Sequence, residues 1–284
     1  MRSWQFCILI GLCVLMAGVT GYFFQRQLEP TYQGRPLSYW LEANSYKPGV
    51  AREEAQEALR QIGTNAIPFL LKYMRPRAGP GNRMIQSVRR SVGLTTEDKI
   101  RSRAGHSAYA FQALGEQAEG AISELDQMLH SPKDPEPNFP ALALAGIGKP
   151  ALPVFLSALT NRNPAVQLPA IQAFDSLGTN RSLAAPCLLQ TLRDPDMRVR
   201  QATASVLGLS GISPDIAVPA LITTLSDTNR YVRSMAGFSL INLGAKAIPA
   251  LQDALTSTNE LIRKGASTAL QGIPTEFKHD LETP

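Results

Sequence analysis

Reactive chemistry is what this chain is short of. Only three histidines occur, His106, His130 and His279, and none has a second histidine or a cysteine at metal-ligand spacing. That excludes the common zinc frameworks. Of the cysteines, Cys7 and Cys13 lie in the apolar N-terminus, so Cys187 stands by itself in the remainder and has no disulfide partner there. No glycine-rich phosphate loop of either standard spacing is present, which argues against nucleotide sites of the Rossmann and P-loop kinds. Leu209-Ser210-Gly211 lacks the preceding glycine of a hydrolase nucleophile elbow. Aromatics make up 7% and charged residues 18% of the chain, the latter below the average for globular proteins. Alanine and leucine dominate instead, a composition suited to thin helical layers in close contact. No catalytic, cofactor-binding or metal-ligating residue is assigned.

What the chain has is repetition. Asp196-Met197-Arg198-Val199-Arg200 opens a segment closed by Val218-Pro219-Ala220-Leu221, and Asn229-Arg230-Tyr231-Val232-Arg233 opens the next, closed by Ile248-Pro249-Ala250-Leu251. A glycine followed by a proline on a second apolar segment marks most copies. The glycines fall at 63, 115, 148, 178, 211 and 244, in steps of 52, 33, 30, 33 and 33. A seventh, partial copy runs from Glu260 to Ile273. Such a period means stacked units, each too thin to bury its own apolar face. Within a copy, Val199, Ala202, Val206 and Leu209 recur at helical spacing. Glycine ends that helix by taking a positive φ, and proline starts the next one, where its missing N–H costs little. Leu251 and Leu255 carry the buried stripe of the second helix. In the copies ending at Pro186 and Pro219, and in the copy with Ser123 where the proline should be, three more residues are read into the turn. The fold expected is all-α: an α-solenoid of six to seven helix pairs behind one N-terminal apolar helix.

The boundaries follow. Residues 1–30 read as a signal-anchor segment and connector, 31–46 as a short capping helix, and 47–284 as the solenoid. Trp4 to Phe24 is a 21-residue run without a charge, roughly 32 Å as a helix and long enough to span a bilayer. The reading is a single-pass membrane anchor with the repeats exported; secretion after signal cleavage is the alternative. Gln25 to Gly34 reads as a polar connector. Leu37, Trp40 and Leu41 at i, i+3 and i+4 give the capping helix its apolar face.

The Asp/Asn turn followed by Val-Arg or Ile-Arg, then Leu-Gly, then Ile/Val-Pro-x-Leu, resembles HEAT repeats over about Lys47 to Ile273. The flavour is the short bacterial type of the phycobilin lyases. Anchor, Trp-bearing helix and array together also look like a class of bacterial envelope proteins of unassigned function. The resemblance implies that Arg200, Arg233 and Arg263 bond turn aspartates of neighbouring copies, with Asp194 or Asp196 and Asp227 as the acids.

One stretch breaks the pattern. Residues 75–103 carry eight basic residues against two acidic, a net of +6 that exceeds the whole chain's +5. Arg83, Arg89, Arg90, Arg101 and Arg103 there are candidates for contact with an anionic partner. No aromatics interleave with them, so base stacking is not suggested and nucleic acid is not the expected partner. The function expected is a non-enzymatic scaffold for a protein partner, tethered to a membrane and monomeric, without cofactors. The alternatives are an enzyme of HEAT-like type, resembling a bilin lyase or a DNA glycosylase, and a polyanion binder acting through the basic insertion.

Overall fold

The computed structural model describes residues 29–46, 50–75, 97–131, 138–209 and 211–274. The apolar run Trp4–Phe24 and Arg83, Arg89, Arg90, Ser210 and His279 lie outside them. Among the described residues no helix is long and apolar enough to cross a membrane.

A two-residue turn at Gln33 and Gly34, both at positive φ, joins β1 (Thr31–Tyr32) to β2 (Arg35–Pro36). The connector reading of Gln25–Gly34 is corrected at residues 31–34, residues 25–28 lying outside the described ones: paired positive φ values match the twist of a tight hairpin. Helix α1 (Leu37–Tyr46) follows. The Glu29 carboxylate accepts the Ser38 N–H at 2.9 Å, occupying one of the helix's otherwise orphaned donors. Tyr73 donates its hydroxyl to the same carboxylate. Trp40 is 1% exposed with Leu37 and Leu41 beside it, and its Nε1 donates to the Tyr32 carbonyl at 3.3 Å. Trp40 is thus a packing residue that seals the hairpin and α1 onto the array.

Among the described residues six helix pairs come next, then a lone helix. The pairs are α2 (Val50–Ile62) with α3 (Ile67–Met74), and α4 (Glu97–Leu114) with α5 (Ile122–Leu129). Then follow α6 (Asn138–Ile147) with α7 (Leu152–Leu159), and α8 (Pro164–Gln172) with α9 (Arg181–Thr191). The last two pairs are α10 (Met197–Leu207) with α11 (Pro214–Thr224), and α12 (Arg230–Leu243) with α13 (Ile248–Ala254), before α14 (Glu260–Gly272). Each first helix packs on the first helix before it, from α2 to α14, and α1 packs on α2 and α4. The core is correspondingly one continuous cluster from Leu37 to Ile273. The array is the expected helical solenoid, and the β1–β2 hairpin departs from the all-α reading.

All six landmark glycines have φ between 55° and 109°, the left-handed region that favours glycine. Close contact between layers is plainest at Gly208. A Cβ there would lie 2.5 Å from that of Ser239, whose hydroxyl donates across the seam to the Ala204 carbonyl at 2.8 Å. Pro140 falls in the first turn of α6, where no intrahelical N–H bond is due.

Three expectations need correction. The extra residues before Pro186 and Pro219 lengthen the second helix rather than the turn: α9 and α11 have 11 residues each against 7 in α13. Both prolines therefore sit inside helices. Leu209 lies beyond the end of α10 and is 41% exposed, while Thr203 and Leu207 take the buried face. Leu255 is also 41% exposed, although its counterpart Leu225 is 2%. Leu225 is covered by the first helix two steps on, at Gly265, and Leu255 stands too near the end of the array to have such a neighbour among the described residues.

Candidate functional site

The turns leading into α8, α10, α12 and α14 share one construction. Asn163, Asp196, Asn229 and Asn259 precede their helices, and each accepts the N–H two residues on at 2.8–3.0 Å. This is the N-cap bond that short polar side chains supply. Two residues earlier, Asn161, Asp194, Asp227 and Ser257 accept the N–H of the cap itself at 2.8–3.2 Å. Four residues after the cap come Gln167, Arg200, Arg233 and Arg263. The three arginines each anchor Nη1 on two carbonyls of their own turn, at 2.6–3.2 Å.

Arg200 completes the ladder contact implied by the resemblance. Its Nε and Nη2 donate to the two carboxylate oxygens of Asp227, one copy further on, at 2.7 and 3.0 Å. The fork geometry is the strong, planar kind, and both side chains are largely shielded from water. Hydrogen bonding from Arg200 holds the Asp227 carboxyl below the usual carboxylate range, against the opposing effect of burial. The same bond raises the Arg200 pKa further. Asp227 is the acid of Arg200; Asp196 instead caps its own helix and pairs with Arg198 at 2.7 Å.

The ladder is broken on either side of this rung. Gln167 stands where an arginine would reach Asp194. Its Nε2 donates to the Leu159 carbonyl at 3.0 Å, and its Oε1 is buried with no hydrogen-bond partner among the described residues. Ser257 stands where an acid would meet Arg233.

Beside the complete rung, the C-terminal ends of α9 and α11 leave a groove of about 750 Å³. Leu189, Leu192 and Ala220 give it an apolar surface, while Asp194 and the Arg200–Asp227 pair form one wall. The hydroxyls of Thr223, Thr224 and Ser226 donate back to carbonyls of their own segment at 2.7–3.0 Å. Gln190 and Arg193 are the exposed polar side chains on its α9 side. Helix C-termini carry partial negative charge, which Arg193 offsets. The arrangement can bury apolar surface and exchange a few hydrogen bonds with a polypeptide. These residues lie on the second helices, whose sequences are legible, but which ends leave space depends on how neighbouring copies stack.

Other sequence candidates disperse. Arg101 and Arg103 lie exposed near the start of α4, with the Arg103 guanidinium 5.0 Å from the centre of the Tyr73 ring. Arg75 pairs with Glu124 at 2.7 Å. His106 is buried beside Ser102, at 3.2 Å, and burial lowers its pKa. His130 pairs with Asp126 on the surface. On α2, Glu57 is a solvated surface residue bonded to Arg60 and Gln61, not a member of any site among the described residues. Among the described residues no three metal-ligating side chains gather.

Residues 122–208 and 218–277 match the sequence model of HEAT repeats. No curated protein matches the chain. Similar solved structures include an engineered protein, 20% identical, over 84% of this chain and 96% of that one with a TM-score of 0.37. Another is the karyopherin Kap121p bound to Nup53p, 17% identical, over 86% of this chain with a TM-score of 0.45. The match spans only 30% of the karyopherin's length. Likenesses this loose carry no partner or activity over to this chain.

Proposed function

The chain belongs to the HEAT-repeat family, and from that premise we propose that it is a non-enzymatic scaffold that receives a protein partner on its second-helix layer. The groove between α9 and α11 carries the reading. Its apolar surface and polar rim suit an extended polypeptide, and stacked repeats expose long surfaces of this kind. The ion pair in its wall favours binding over catalysis: Arg200 and Asp227 are committed to each other, and a general acid or base must be able to exchange its proton near neutral pH.

A photo-crosslinking residue at Thr223, compared with one at Tyr109 on the first-helix layer, tests this. A discrete adduct from position 223 is expected. Adducts from position 109 alone would move the binding face to the other layer.

The proposal includes tethering through Trp4–Phe24, on the length and apolarity of that run, with the repeats exported. Release of the full chain by alkaline carbonate would overturn the tether. The anionic-partner assignment of Arg83, Arg89, Arg90, Arg101 and Arg103 is a second proposal, favoured by the exposed Arg101 and Arg103 at the border of the basic stretch. Changing all five to Gln should abolish binding of anionic vesicles; unchanged binding would remove the site.

A further inference from the structure

The broken ladder has a chemical consequence at its C-terminal side. Arg200, Arg233 and Arg263 are anchored alike, each by Nη1 on the carbonyls five and six residues back. In Arg200 the remaining edge, Nε and Nη2, grips a carboxylate. Arg233 and Arg263 carry no such partner among the described residues. Ser257 occupies the position from which an acid would reach Arg233, and Arg263 belongs to the last described helix. The nearby acids are otherwise engaged or placed. Asp227 is held by Arg200, and Glu260 pairs with Lys264 at 2.6 Å. Asp253 is exposed on α13, at the repeat position of Thr223. Cations are therefore in excess along this edge.

Anchoring matters because a guanidinium already fixed in orientation loses little entropy on meeting a ligand. The geometry points to an interaction surface for an acidic, extended segment of a partner protein, its carboxylates taken side-on by Arg233 and Arg263 as Arg200 takes Asp227. Helices α12 and α14 pack directly on one another, which sets equivalent positions about 8–10 Å apart. Two acidic residues three apart on an extended polyproline-II segment, with three residues per turn and a rise of about 3.1 Å, share one side about 9 Å apart, so the matching pattern is acid-x-x-acid. The inference rests on the reading of this chain as a protein binder but uses residues outside the groove's lining.

The test uses the full chain and a fluorescent, end-blocked decapeptide of glycine and serine with two glutamates three residues apart, followed by anisotropy. Binding that weakens with added salt is expected, together with none by the glutamine version of the peptide. Arg233→Gln with Arg263→Gln should weaken it about tenfold or more, as loss of charge-assisted bonds does. Arg198→Gln, whose partner is its own cap, should leave it unchanged. Ser257→Asp is the second variant: it supplies Arg233 with an internal acid, so it should raise the melting temperature while weakening peptide binding. Equal binding of the glutamine peptide, or peptide binding unaffected in both the double variant and Ser257→Asp, would overturn the inference. So would failure of the unmodified chain to bind, or tighter binding of a phosphoserine version. Crosslinking at Thr223 reads the scaffold function separately in every one of these cases.

Discussion

At Asp227 several demands meet. Its carboxylate accepts two bonds from Arg200 and one from the Asn229 N–H, while its carbonyl accepts Nη1 of Arg233. Replacing it with Asn should cost about 1–3 kcal/mol, between the values for exposed and for buried pairs. The pH dependence has a definite sign. The folded carboxyl is held below its ordinary value, so its contribution is present above an unfolded pKa of about 3.9 and is lost as pH falls further. Chemical denaturation of Asp227→Asn and the unmodified chain should differ at pH 7 and converge toward pH 2; a constant difference would rule out the ion pair as the cause. The repeating arginines were legible from spacing alone. Which acid they meet was not, because Asp194, Asp196 and Asp227 all lie in turns of the same composition. Only the stacking of one copy on the next selects Asp227.

Pro186 and Pro219 show what spacing leaves open at the level of the helix. Three extra residues between glycine and proline can extend a turn or a helix without changing either landmark. Here they lengthen α9 and α11, and each proline interrupts the backbone bonding of the helix that contains it. In the shorter copies proline is the second helical residue, as Pro249 is in α13, where no bond is lost. Pro219→Ala should thus raise stability by about 1–3 kcal/mol, less than the full helix-interior penalty of about 3 kcal/mol because proline also stiffens the unfolded chain. Pro249→Ala should gain nothing. Thermal melts of the two variants check this; equal shifts would mean that Pro219 is accommodated without loss. Both helices that form the groove carry an interior proline, as α8 also does with Pro169. A local rule broken at a candidate binding site is where such breaks are expected. Leu209 and Leu255 were misread because helical periodicity does not stop where a helix stops, nor where its covering neighbour does.

Across the whole molecule, order along the chain is nearly order in space, since each copy touches chiefly the copies beside it. That is why the architecture could be read from a period of about thirty residues, without any long-range pairing to infer. The basic stretch resisted the same reading because it has no counterpart in other copies. A stack of this kind transmits load in series, so its weakest joint governs how it yields. The Arg200–Asp227 fork pins α10 to the turn before α12, whereas Ser257 leaves the joint before α14 without a pin. Stretched between its ends in optical tweezers, the array should surrender α14 first, at the lowest force, and hold longest across residues 194–227. Ser257→Asp should move that first rupture to higher force. If α14 instead detaches last, apolar contact between α12 and α14 outweighs the missing fork. In mechanical terms, then, Ser257 in place of an acid would make α14 a release tab, letting go under tension while the rest of the stack stays closed.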